Sequence, residues 1–554
     1  MSEDSLAAEK QSLRDAEAQG GIAKWKTYTR LSGPGWLQSA ITLGGGSLAG
    51  GLYLGVIGGY QLLWLQPLMM IFGVLMLSVI GYVTLSTGEK PFQAINKHIN
   101  PVLGWGWLIA ALMANLVWAM PQFSLGTAAL QQNLGIFTDD PESKVQNGKY
   151  LCAALLFIVA SVVVWMYDSK GAKAFDIILK VMVGVIVVSF FGVVVALSGK
   201  LPWGEILAGF IPDFSLLSEP ATGFKEKLAT ASDPGYWRDE ILGSQRDRMV
   251  TAAATAVGIN MTFLLPYSML RKGWGREHRG LATFDLSTGL FIPFLLATSC
   301  VVIASASQFH GKFDEGLLDA SKATDATKGL KGGYDKNINA FIKHKGEGAE
   351  ASRGDKEIAA MLVSRDSLQL AGSLEGLLGK NTSHTIFGVG VVGMAISSII
   401  ILMLINGFCI TEAMGLEMSG TAHKVGSLLP GVTGALGFPW LWGDADAKFW
   451  LAVPTSVFGM VLLPIAYFTF FCMMNSKSLL GDAMPTGNRR IALNIAMGIA
   501  LVASLFGALW SIWSKAKIAG MVAFGAFIVL IILGQCWHAL NKKPDRVEDV
   551  VRKK

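Results

Sequence analysis

Long apolar runs separated by polar links recur along the chain, among them "YLCAALLFIVASVVVWMY" (150–167), "IILKVMVGVIVVSFFGVVVAL" (177–197) and "MVAFGAFIVLIILGQCW" (521–537). Each is long enough to cross a hydrocarbon core of ~30 Å as a helix. None alternates with the two-residue period of a membrane β-barrel strand. Hydropathy predicts eleven or twelve spans, centred near 45, 73, 118, 158, 187, 260, 294, 398, 432, 461, 500 and 528, the one near 432 being weak. The expected fold class is therefore an all-α integral membrane protein. Two polar insertions interrupt the pattern, at about 200–248 and 308–384, and neither reads as a catalytic domain.

Within the spans, two places resist a continuous helix. The first span carries Gly44, Gly45 and Gly46 followed by Ser47, near its own middle. Glycine costs about 1 kcal/mol against alanine in a helix, so three in a row invite unwinding. In lipid, unwound backbone survives only where protein or a water-filled cavity satisfies it. Small residues at four-residue spacing, such as Gly46 and Gly50, also suit close helix packing. The sixth span, "ATAVGINMTFLLPYSMLRKGWG", places Pro266 inside an apolar run, with Asn260 and Thr262 one to two turns earlier. Proline removes a donor and frees carbonyls in the turn before it. Two interruptions five spans apart are what a five-plus-five inverted repeat requires, with the substrate held between discontinuous helices at midplane.

Composition agrees with the pattern. Hydrophobic residues make up 52% of the 554 and charged residues only 16%, against about a quarter charged in soluble domains. The N-terminal segment is polar with no apolar core, so no signal peptide is expected. The net charge of +6 fits basic loops on one membrane face rather than nucleic-acid binding. Those loops hold Lys90 and Lys97, Lys170 and Lys173, Arg271 to Arg279, and Lys477 to Arg490, while the loop "GIFTDDPESKVQNGKY" opposite is acid-rich. The positive-inside rule then predicts a multi-pass cell-membrane protein with its N-terminus cytoplasmic and both insertions outside, although Lys515 and Lys517 would also lie outside. The five cysteines lie scattered in or beside apolar runs, without metal-ligand spacing. The organisation expected is a polar segment 1–30, a first five-helix repeat 31–199, an insertion 200–248, a second repeat 249–474 containing the insertion 308–384, additional helices 475–541 and a basic cytoplasmic tail 542–554.

"GPGWL" and "GYQLLW" in the first span, "AVGI" and "LPY" in the sixth and the long stretch from Met460 to Asn488 resemble the NRAMP family of proton-coupled divalent metal transporters. "GPGWL" (Gly33–Leu37) and "GYQLLW" (Gly59–Trp64) align with the family's first span without a gap. "AVGI" (Ala256–Ile259) and "LPY" (Leu265–Tyr267) are similar to its sixth, and "MVLLPIAYFTFFCMMNSKSLLGDAMPTGN" (Met460–Asn488) to its tenth and the loop after it. The resemblance implies a LeuT-type five-plus-five inverted repeat with broken first and sixth helices. It also implies that the metal-binding residues have been replaced. Gly44 stands where the family has its ligating aspartate, Gly45 where it has proline and Ser47 where it has asparagine. Leu265 stands in for the selective methionine, Tyr267 for the histidine beside it and Leu462 for the tenth-span glutamine, while the family's acidic proton-relay positions fall at Met120 and Phe123.

A midplane dication needs anionic or strongly dipolar ligands. The substrate-binding set expected here, Gly44, Gly45, Gly46, Ser47, Asn260, Thr262, Leu265, Pro266, Tyr267 and Leu462, contains none that is charged. The reading is a secondary transporter, nominally for divalent metal cations, that does not bind manganese or iron as the family does. A hydrated ion such as magnesium, which keeps several waters, is one cargo. A small polar or carboxylate-bearing solute held at exposed helix N-termini is an alternative, and a non-transporting receptor is a second. Asp285, Asp176 and Glu412 are candidates for coupling to a proton or sodium ion, with helix-end solvation as their blander role. The partners expected are membrane lipid, the small solute or ion, and that coupling ion; nucleic acid, cofactors, resident metal and enzymatic catalysis are not expected, since no nucleotide or nucleophile motif is present.

Overall fold

A computed structural model describes residues 3–138, 147–167, 171–346, 348–365, 369–371, 375, 379–441 and 452–541. Lys170, the acidic centre of the 135–150 loop and the basic tail 542–554 lie outside the described residues. Among those described the chain is helical, with no strand. Two helices, α1 (Glu3–Gln19) and α2 (Gly21–Leu31), precede the first span. α1 packs on the link that follows the sixth span, with Glu9 3.4 Å from His278, and α2 on the start of the seventh through an edge-on contact of Tyr28 with Phe284.

The first span is broken as the glycines predict. α3 (Pro34–Thr42) starts on a proline, whose fixed φ suits the first helical turn, and α4 (Gly45–Gly58) leaves it at 54°. Between them Gly44 is extended (φ −102°, ψ −175°). A methyl group there would stand 2.1 Å from Ser398 Oγ and 3.2 Å from its Cβ, so an alanine could enter this crossing only if Ser398 gave way. α4 is buried on every side, as a helix enclosed by other helices must be. The remaining spans of the first half are α5 (Leu65–Thr87), then, after the short α6 (Pro91–His98), α7 (Pro101–Ala128), α8 (Gly148–Met166) and α9 (Ala172–Leu197). Asn100 caps α7 by accepting from Val102 N at 2.8 Å and Leu103 N at 3.3 Å. Apolar side chains on α9 such as Val181 and Val188 point outwards, the face a lipid-embedded bundle presents.

The two insertions fold together into one cap. It comprises α10 (Trp203–Ala208), α11 (Thr222–Thr230), the start of α12 (Pro234–Ala256), α16 (Asp325–Lys345) and α17 (Arg353–Met361). Its hub is the buried Asp355, which accepts from Ser232 N (3.0 Å), Ser232 Oγ (2.6 Å), Trp237 Nε1 (2.7 Å) and Ser352 N (2.7 Å). Burial alone would raise this carboxyl; the four donors outweigh it and hold the group below the ordinary carboxylate range. Phe341 stacks on Trp237, and Lys227 pairs with Glu357 at 2.9 Å, so residues of both insertions share one small core.

The sixth span also breaks, but not at the proline. α12 ends at Ala256, Val257 and Gly258 are extended, and α13 (Ile259–Arg271) continues with Pro266 inside it. The seventh span is α14 (Arg279–Leu286) joined by a π turn to α15 (Ile292–Phe309), and the eighth and tenth are α18 (Lys380–Ala413) and α20 (Ala452–Met474). Among the described residues, nine helical segments are long and apolar enough to cross a membrane, ten with the bent α3–α4 pair. α19 (Gly420–Leu441), which carries Pro430 and Pro439 inside it, stands where the weak ninth span is expected and is not among those counted. After the short α21 (Lys477–Leu480), α22 (Gly487–Asn541) is two spans in one run, because the chain reverses at Lys517 (φ 48°, ψ −134°). Asn494 bonds Asn475 at one membrane face, Lys515 reaches Asp247 at the other, and Ile531 O returns to Asn100 at the first.

Candidate functional site

The two breaks meet. The ends of α3 and α12 and the starts of α4 and α13 enclose a cavity of about 50 Å³, lined also by α7, α18 and α20. That is room for one or two waters. Ser47 on α4 spans the junction: its hydroxyl bonds the carbonyl of Thr42 and lies 3.3 Å from that of Thr255. Gly45 N donates to Gln122 Oε1 on α7 at 2.9 Å. Asn260, in the first turn of α13, uses its carbonyl to accept from Met261 N (2.9 Å) and its amide to donate to Asn115 Oδ1 (3.2 Å). Ser398, Thr455 and Ser456 add hydroxyls and backbone groups, Ile41, Trp118, Pro121 and Leu402 make much of the wall apolar, and no side chain in the lining is ionisable among the described residues. No group of three or more His, Cys, Asp or Glu is placed to hold a metal among the described residues.

Of the residues expected from sequence, Gly44, Gly46, Ser47 and Asn260 line this cavity and Gly45 opens α4 beside it. Four others are elsewhere. Thr262 turns to Trp107, accepting from its Nε1 at 2.9 Å. Leu265 packs beside Gly81 of α5, and Pro266 continues the helix. Tyr267 is stacked on Phe263 with centroids 4.5 Å apart, and its hydroxyl accepts from Phe92 N of α6 at 3.4 Å. Leu462 is a correction of another kind: α20 offers Thr455 and Ser456 to the cavity, while Leu462, about two turns on, lines a separate cleft.

Met261 also lines the cavity, and the sequence reading did not single it out. Its sulphur accepts from Thr42 Oγ1 at 3.0 Å and Gly258 N at 3.4 Å, which puts a thioether in the gap between the half-helices. The expectation from "LPY" put Leu265 at the methionine position, and Leu265 lies one helical turn further along α13 than Met261. The available signal is Gly258, the last non-helical residue, which places Met261 in the first turn of α13.

The intramembrane charges stand apart from the cavity. Asp285 caps the start of α3, bonded by Ser32 Oγ and accepting from Gly33 N (3.1 Å) and Gly35 N (2.7 Å). Lys180 Nζ donates to Ser32 O at 3.0 Å, and Asp176 pairs with Lys272 at 3.1 Å. Glu412 is wholly buried at the end of α18, paired with Lys90 at 3.0 Å. The first three tie α3 to α9, α13 and α14 at one membrane face.

A helical bundle whose first and sixth spans are both interrupted, with the interruptions facing a shared cavity, defines a LeuT-type transporter architecture. The overall fold matches the manganese transporter of Eremococcus coleocola, with a TM-score of 0.60 to a point mutant of that protein at 13% identity over 94% of this chain and 96% of that one. Its complex with an aromatic bis-isothiourea substituted compound gives 0.59 at 14% identity, with the same coverage. The family model described as natural resistance-associated macrophage protein-like matches residues 35–341 and 356–514, and the chain belongs to that NRAMP family of divalent metal transporters, membrane carriers rather than enzymes. Among curated relatives, metal transporter Nramp2 of Oryza sativa subsp. japonica is 27% identical over 174 residues, 30% of each chain. Metal transporter Nramp3.2 of Populus trichocarpa is 25% identical over 182 residues, 32% of this chain and 34% of its own. The matched stretch thus spans about a third of each relative's length.

Proposed function

We propose that the protein is a secondary transporter of a divalent cation that keeps part of its water shell, with selectivity shifted away from manganese and iron. The observation that carries this reading is the uncharged lining of the cavity at the breaks. Carbonyls at the C-terminal ends of α3 and α12, the hydroxyls of Ser47, Ser398 and Ser456, and the Gln122 amide offer dipoles suited to a hydrated ion. A dehydrated transition metal needs fixed negative charge that this lining lacks. The Met261 thioether is the soft donor of the lining, and Thr42 and Gly258 already engage it. Gly44, Gly45, Gly46, Ser47, Asn260 and Met261 form the substrate site in this reading. Cell-membrane residence with a cytoplasmic N-terminus rests on the basic loops, and a proton or sodium ion is the coupling ion.

The test is flux into proteoliposomes of the full chain, with magnesium and manganese followed by separate indicator dyes and a panel of amino and organic acids followed by radiolabel. Magnesium uptake exceeding manganese uptake by at least about tenfold, equivalent to ~1.4 kcal/mol, is expected. Saturable manganese uptake equal to or above magnesium uptake overturns the shifted selectivity. Flux of an organic acid without either metal overturns the cation reading.

A further inference from the structure

Above the cavity, on the side of the cap, lies a second feature that the cation reading does not use. Arg248 of α12 and Tyr53 of α4 each stand about two turns outward from the cavity residues Thr255 and Ser47. The guanidinium carbon of Arg248 lies 4.5 Å from the centroid of the Tyr53 ring, joining the two outer half-helices. Both residues form part of the wall of a large open cleft, about 3160 Å³, that starts beneath the cap and runs down along α20 and α22. Ser364 and Arg365, from the 308–384 insertion, share this wall; Arg365 is 4% exposed, its guanidinium 5.8 Å from the Phe309 ring centroid.

Arg248 makes no ion pair among the described residues, and its chain neighbour Asp247 is turned to Lys515. The one hydrogen bond of Arg248 there is to Ser364 Oγ at 3.5 Å, and its Nε is shielded from solvent with no partner. Of the carboxylates that line the cleft, Asp239 and Glu240 are exposed two turns or more outward along α12, and the other three are engaged by other groups. Asp247 holds Lys515 at 2.5 Å, Asp314 accepts from Gly316 N and Thr327 Oγ1, and Glu375 pairs with His384 at 2.7 Å. A half-buried guanidinium without an anion is costly. Stacking on a ring leaves its in-plane N–H groups directed sideways, the geometry that grips a carboxylate by two parallel bonds.

We propose that the cleft under the cap holds a site for a small organic carboxylate, bound by Arg248 with Ser364 and Arg365 beside it. An anion seated there neutralises a positive wall directly above the cavity and bears on the Arg248–Tyr53 contact between α4 and α12. The carboxylate arrives either free or as part of a metal chelate. The chemistry of recognition is the same for both.

The experiment is thermal stabilisation of the purified full chain by citrate, magnesium citrate and, as the non-carboxylate control, chloride, each titrated to about 10 mM. Citrate should stabilise the protein saturably and chloride should not. Arg248→Gln should weaken the citrate midpoint at least tenfold, and Arg248→Lys, which keeps charge but not the planar fork, should weaken it by a smaller factor. Greater potency of citrate than of magnesium citrate assigns the free anion; the reverse order assigns the chelate. No saturable citrate effect in the wild type, or an unchanged midpoint in both Arg248 variants, overturns the proposal. Arg365→Gln supplies a second variant should Arg248→Gln fail to fold, with a weakened midpoint expected and an unchanged one counting against the site.

Discussion

Replacing Asp285 by asparagine tests whether the start of α3 is a latch. One carboxylate oxygen receives Ser32 Oγ and Gly33 N, and the other receives Gly35 N at 2.7 Å. An asparagine oriented to keep the first pair turns its own N–H₂ towards Gly35 N, so that bond is lost donor against donor. A hydrogen bond to a charged group contributes about 1.5–3 kcal/mol, and an anion at a partly buried helix N-terminus about 1 kcal/mol. The closed position of α3 therefore loses about 3 kcal/mol, a factor of roughly 150 in its equilibrium with a displaced α3. The assay is the rate at which an impermeant maleimide, applied from the face carrying Asp285, labels Thr42→Cys in a background with the five native cysteines replaced. Thr42 ends α3 and lines the cavity, so it is labelled only when α3 moves away. Labelling at least tenfold faster in Asp285→Asn, in protein that still elutes as a single species, is expected. A change below twofold would refute the latch.

Three further outcomes follow from contacts described above. Gly44→Ala should destabilise the protein by about 1–3 kcal/mol through the clash with Ser398 Oγ, and Ser398→Gly should recover most of it; independent, additive effects in the melting temperature would contradict the contact. Lys90→Met should cost more than Glu412→Gln, by up to about 3 kcal/mol, because it strands a buried carboxylate, which denaturation of the two variants compares directly. His310 accepts from Gly223 N at 3.1 Å through Nε2 and donates from Nδ1 to Val56 O at 3.0 Å, and burial pushes its imidazole below the ordinary value, only partly offset by the Val56 carbonyl. A depressed imidazole contributes stability that is complete above the unfolded value of 6.5 and declines as pH falls below it. Protease nicking of the 200–248 segment should therefore rise below pH 6.5 in the wild type and lose that pH step in His310→Gln.

The glycine run was legible because its conformational meaning is local: consecutive residues without Cβ weaken a helix whatever surrounds them, and α3 and α4 part at Gly44. Pro266 misled for the converse reason. A proline's missing donor can be tolerated inside a membrane helix, and α13 carries it without breaking. The true interruption, Val257–Gly258, carries a single glycine as its signal, weaker than the run of three in the first span. Leu462 failed because register along α20 is set by packing against α7 and α12, which no motif encodes. The union of the two insertions was beyond reach from sequence, since Asp355 finds Ser232 and Trp237 across more than a hundred intervening residues.

That union turns the cap into an extension of α12. The helix has 23 residues, so at ~1.5 Å each its outer tip lies about 35 Å from the hinge at Val257–Gly258. A tilt of only ~5° at the hinge would carry the tip through about 3 Å, by the same geometry. Dye pairs bridging the cap and the outer end of α8 would register each working cycle from outside. Turnover could then be watched, and unknown cargoes screened, with nothing labelled but the carrier itself.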